Sequence, residues 1–138
     1  MSERDSLRIL CFGNPLHGDD GFGAAVAQAL RRGQPPDCIR VVECGTRGLD
    51  ALGHFEACAH VILVDAVLGD TPGRVRKLGP EDVPAEPNQA GGHGAGVGYL
   101  LSAARATLDR LPEIDIVVAE IDRSAPFAPG LSLPVAAA

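Results

Sequence analysis

Apolar and polar positions along the chain switch repeatedly between a strand-like and a helix-like period. Leu7 to Gly13 (LRILCFG) is a short apolar run closed by glycine and predicts a buried strand. Gly21 to Arg32 has helical spacing, with Phe22, Val26, Ala29 and Leu30 on one face. Arg31 and Arg32 suit the negative end of that helix, and Gly33 stops it. Beyond Pro35 and Pro36, Ile39 to Cys44 (IRVVEC) predicts a second strand. Thr46 then caps a helix in which Leu49, Leu52 and Phe55 repeat every third residue. His60 to Val67 (HVILVDAV) is apolar nearly throughout, as in a strand covered on both faces.

This order of strand, helix, strand, helix, strand implies a largely parallel sheet with helices on both sides. Gly73 to Leu78 (GRVRKL) alternates and follows the third strand too closely for a helical crossover, so it predicts an antiparallel edge strand. Gly79 to Gly94 is rich in Pro and Gly and lacks a period; loops of that length are often functional. Ala95 to Leu111 returns to helical spacing through Val97, Leu100, Leu101, Ala104 and Leu108. Ile114 to Ile121 (IDIVVAEI) is the last strand, and Ser132 with Pro134 reads as the start of a further helix. The expected fold is a single α/β domain over residues 1–138. It has three layers, α/β/α, around a twisted, mostly parallel mixed sheet of about five strands.

Composition narrows this further. There is no Trp, one Tyr and four Phe, so the core is built from Val, Leu, Ile and Ala. A formal charge of −6 argues against nucleic acid as a partner, since phosphate binding needs a basic face. No window approaches a transmembrane helix, and MSERDSLRIL lacks the apolar stretch of a signal peptide, so no membrane partner and a cytoplasmic location are expected. Cys11, Cys38, Cys44 and Cys58 form no CxxC pair and are expected to be reduced.

The chemistry concentrates where strands end. Gly13 to Gly23 (GNPLHGDDGFG) follows the first strand and opens the first helix, the place of a phosphate-binding loop. Its first two glycines have the phosphate-loop spacing, but Asp19 and Asp20 replace the Lys and the hydroxyl residue. Two carboxylates repel phosphate and attract a cation. Asp19 alone would serve as a helix cap; the pair points to function. Asp65 interrupts a strand expected to be buried, where a charge needs a partner; the alternative is an exposed strand end capping a turn. Ligands of open α/β sheets collect outside the carboxyl ends of the strands. Asp20 and Asp65 share one crevice there if the first and third strands are neighbours. His93 stands among glycines (GGHGAG) ahead of a helix, free to present its imidazole. Two carboxylates and an imidazole suit zinc, nickel or iron with open positions. Glu43, near the end of the second strand, is a fourth candidate, equally readable as an exposed strand-end charge. His17 is an accessory candidate or a solvated loop residue, and His54 and His60 read as structural. GxSxG is absent, so Ser–His–Asp chemistry has no support.

GNPLHGDDGFG, ECGTRGLDAL, LVDAV and the glycine-flanked His93, in this order, resemble the hydrogenase maturation endopeptidases. The resemblance implies an α/β protein that removes a short C-terminal peptide from the large subunit of a nickel–iron hydrogenase after nickel insertion. It implies a metal site of Asp20, Asp65 and His93, with Glu43 as the acidic residue of the second motif. Nickel would be carried by the precursor rather than held permanently, as Lewis acid or as recognition tag. Two departures stand out. Glu43-Cys-Gly-Thr46 replaces the family's usual Asp-Gly-Gly-Thr, and the final helix after Leu131-Ser132 is expected to be cut short. Two other readings remain: a chaperone that binds the precursor without cutting, and a nucleotide-dependent α/β enzyme, which the Asp19–Asp20 pair opposes.

Overall fold

The apolar runs pair into one five-stranded sheet. A computed structural model describes residues 5–13, 21–45, 48–56, 58–82, 95–121, 131 and 133–136. The strands are β1 (Asp5–Phe12), β2 (Ile39–Gly45), β3 (Cys58–Leu68), β4 (Val75–Leu78) and β5 (Glu113–Ile121). The helices are α1 (Phe22–Arg32), α2 (Ala95–Thr107) and α3 (Leu133–Ala136), with 3-10 segments at Gly48–Phe55 and Pro80–Asp82. The sheet order is β2-β1-β3-β5-β4. β2, β1, β3 and β5 are parallel, and β4 runs antiparallel at the edge. The α/β class and the mostly parallel mixed sheet are therefore as expected, and the condition that β1 and β3 be neighbours is met. β4 is the expected antiparallel edge strand, but its neighbour is β5, which lies between it and β3.

β3 is apolar because it feeds two cores. Val61 and Leu63 pack with Leu10, Phe55, Leu100, Leu101 and Ile116 on the side of α2 and the first 3-10 segment. Val64 and Ala66 pack with Cys11, Phe22, Ala27, Ala119 and Val135 on the side of α1 and α3. Period-two alternation sends neighbouring β3 residues to opposite faces, so a strand covered twice shows no polar face.

Two helical expectations need correction. The buried residues of α1 are Phe22, Gly23, Ala24 and Ala27, whereas Ala29 is exposed and Val26 and Leu30 are half-buried. The reason is close approach: a Cβ on Gly23 would lie 2.1 Å from the carbonyl oxygen of Phe12. Beside Phe22, the small residues Gly23, Ala24 and Ala27 are the buried ones there, with Val26 packed at the margin. The second helix is a 3-10 helix, in which three residues complete a turn. That geometry matches the three-residue repeat, and it buries Ala51 and Phe55. α2 keeps its expected inner face of Val97, Leu100, Leu101 and Ala104, and ends at Thr107, with Leu108 still packed on the core. Thr46 and residues 83–94 lie outside the described residues.

Candidate functional site

α1 follows the carboxyl end of β1 in the chain, and α2 ends shortly before β5 begins at the opposite edge. Both helices therefore start at the carboxyl edge of the sheet. β1 and β2 end there together, with the Gly13 N–H donating to the Gly45 carbonyl at 2.8 Å.

Asp65 lies near this edge. It follows Val64, the partner of Cys11 on β1, and is level with Val118 on β5. Alternation puts it on the α2 face with Leu63 and Val118. It is a buried residue, 5% exposed, and one carboxylate oxygen accepts the Ala66 N–H at 2.8 Å. The exposed strand end weighed as the alternative is therefore not what the chain builds.

Glu43 is exposed and pairs with Cys11 in register, which puts it on the α1 face, opposite Asp65. Arg31, in the last turn of α1, donates to its carboxylate at 2.8 Å and to the Val41 carbonyl at 3.1 Å. An ion pair this exposed adds little stability; it fixes where the carboxylate points. Asp20 and His93, with His17 and Asp19, lie outside the described residues. Their nearest described neighbours are Gly21, buried and capping α1 without a side-chain hydrogen bond, and Ala95, which opens α2. Among the described residues no three His, Cys, Asp or Glu side chains form a metal-holding group. Of the three expected ligands, only Asp65 is among those residues.

The histidines read as structural are engaged in the scaffold. The His54 carbonyl accepts from Arg8, and burial, then Arg8 and Arg40, hold its imidazole below the usual range. His60 contacts Asp115 at 2.8 Å.

Sequence reasoning missed the state of two thiols beside the edge. Burial, reinforced by Cys44 and Glu43 and opposed by Arg31, pushes the Cys11 thiol up to about 12. Burial also pushes Cys44 up to about 11, against a hydrogen bond from the Cys11 backbone. Both stay protonated at neutral pH and are poor nucleophiles. The linkage has a definite sign. Above the ordinary thiol value of 9.0 the unfolded chain loses these protons while the folded chain keeps them. Their contribution to stability is full below that pH and is lost as pH climbs through 9.0 toward about 11 and 12. The urea midpoint is expected to fall between about pH 8 and about pH 10.5, and to fall less in a Cys11→Ala, Cys44→Ala variant. Equal falls in both proteins would contradict this.

An α/β chain with a buried carboxylate at the carboxyl edge of β3, beside β1, defines a class of open-sheet proteins with edge sites. A profile of the hydrogenase maturation proteases matches residues 24–138, and the chain belongs to that family. It is 34% identical over 105 residues to the hydrogenase 2 maturation protease of Escherichia coli, covering 73% of this chain and 64% of that protein. It is 34% identical over 85 residues to the hydrogenase expression/formation protein HupD of Bradyrhizobium diazoefficiens, covering 60% of this chain and 44% of that one. The chain thus spans less than two thirds of the length of these curated relatives. The solved hydrogenase maturating endopeptidase HybD from E. coli superimposes with a TM-score of 0.80 at 29% identity, covering 95% of this chain and 83% of HybD. The nickel–iron hydrogenase maturation protease HybD from Thermococcus kodakarensis gives 0.75 at 25% identity, covering 95% and 89%. Among the described residues no helix is long and apolar enough to cross a membrane.

Proposed function

We propose that this protein is an endopeptidase that removes the C-terminal peptide from the large-subunit precursor of a nickel–iron hydrogenase. The observation that carries this reading is the buried Asp65 carboxylate at the sheet's carboxyl edge, in a chain of the hydrogenase maturation protease family. Asp65, Asp20 and His93 receive the nickel, which arrives as cargo of the precursor. In support, Asp20 adjoins the start of α1, and His93 stands two residues ahead of α2, on whose face Asp65 lies.

Docking the metal-bearing segment against these side chains sets the neighbouring peptide bond in register. A carboxylate of the set takes a proton from water; the oxygen attacks the peptide carbonyl, and the proton passes to the departing amine. Two carboxylates and an imidazole leave positions open for the precursor's own ligands. Glu43, tied to Arg31, is the acidic residue at the neighbouring strand end. We read residues 1–138 as one domain of this family acting in the cytoplasm, with which its free cysteines accord. The test is loss of the C-terminal peptide from purified nickel-loaded precursor, read as a mass change. Binding of the precursor with no mass change would favour a chaperone role instead.

A further inference from the structure

Glu120 is a buried carboxylate, 4% exposed, that the proposed chemistry does not use. It stands two residues beyond Val118, the partner of Asp65, and on the same face. With strands ~4.8 Å apart and a rise of ~3.3 Å per residue, its Cα is about 8 Å from that of Asp65. The segment from Gly69 to Arg74, which leaves β3 four residues after Asp65, hangs on Glu120 and its neighbour. The Thr71 N–H donates to the Glu120 carboxylate at 3.0 Å, and the Gly73 N–H donates to its carbonyl at 2.8 Å. The Glu120 N–H donates to the Arg74 carbonyl at 2.8 Å, and the Gly69 N–H to that of Ile121 at 3.0 Å. Two guanidinium groups balance the charge, Arg76 Nε at 3.1 Å and Arg74 Nε at 3.7 Å from the same oxygen. Arg76 Nε is buried but misaligned for a hydrogen bond, so its contact is one of charge. Gly69 leaves the room: a Cβ there would lie 2.4 Å from the carboxylate.

A buried carboxylate is costly unless it is paired and hydrogen-bonded, and here the 69–74 segment and β4 supply those partners, so the charge and the segment hold each other in place. We infer that Glu120 is a positioning residue, holding residues 69–74 as a rigid wall of the cleavage site against which the precursor docks. The inference rests on the proposed cleavage for its kinetic half. A wall that touches the substrate away from the reacting atoms contributes binding that is equal in the ground and transition states, so its loss appears in KM and not in kcat.

Three measurements on the full chain test this: amide exchange at Thr71 and Gly73, the dissociation constant for nickel-loaded precursor, and cleavage kinetics. In Glu120→Gln the side-chain amide can still accept from Thr71, but the charge that holds Arg74 and Arg76 is gone, so the segment loosens and both amides are expected to exchange faster. KM and the dissociation constant are expected to rise about tenfold, with kcat within about twofold. Gly69→Ala, which keeps the carboxylate but displaces it, is expected to do the same; it covers the case in which Glu120→Gln fails to fold. Unchanged exchange overturns the clamp whether or not the precursor is cut. Unchanged KM and precursor affinity, with activity falling only as the folded fraction falls, overturns the docking role. If the wild type binds the precursor without cutting it, the proposed function fails, while tenfold weaker binding by the variants still upholds the wall.

Discussion

Asp65→Asn is expected to reduce tail release about 100-fold or more, the scale on which a lost ligand or general base is felt, while leaving the fold intact. The substitution keeps the volume of a buried side chain and leaves an amide oxygen to accept the Ala66 N–H. What it removes is the charge, and with it, on the proposed function, both affinity for the precursor's metal and basicity toward water. The near-isosteric amide keeps the packing and the bond from Ala66, so the melting temperature is expected to hold. Full cleavage by the variant would remove Asp65 from the site. Lost cleavage with an equally large drop in melting temperature would make it a structural residue.

The largest effect on stability is expected from Gly23→Ala. The added Cβ would meet the Phe12 oxygen at 2.1 Å, its nitrogen at 2.9 Å and its carbonyl carbon at 3.0 Å. These are backbone atoms of β1, held in register with β2, and cannot rotate aside. α1 must lift off the sheet and loosen its contacts with Cys11, Val64 and Ala66. Forced overpacking of this kind costs about 3 kcal/mol or more, beyond the usual range for a single methyl. For a chain of this size that is roughly a 10 °C fall in melting temperature. Gly53→Ala is the control: nothing lies within 4 Å of its added Cβ, so its melting temperature should hold or rise. Similar behaviour of the two variants would show that α1 does not need the close approach.

These two positions also mark what pattern reading reaches. Asp65 was readable because it breaks an apolar strand, and burial of a charge is a local anomaly that needs no partner to be noticed. Gly23 was not, because a glycine adds nothing to an apolar period, yet its missing Cβ decides which face of α1 meets β1. The contact of β1 with β3 is a condition that the sequence leaves open and the fold meets, whereas the strands and their parallel order followed from local period and short connections. The insertion of β5 between β3 and β4 did not, since it depends on pairing over long sequence separations. Glu120 escaped for the same reason. At the end of IDIVVAEI it looks like a strand-end charge, and its partners, Arg76 on β4 and Arg74 just ahead of that strand, are reached only when β4 pairs with β5. Glu43 is the converse: the chain shows a strand-end carboxylate, and only the fold shows Arg31 reaching across from α1 to hold it.

We propose that a carboxylate–imidazole set at the sheet edge reads a metal on the precursor before the peptide bond is cut. It is tested most directly by giving the purified protein nickel-loaded and nickel-free precursor side by side and following the mass of the large subunit. Loss of the C-terminal peptide is expected from the nickel-loaded precursor alone. Equally fast cleavage of both, or of neither, would contradict it.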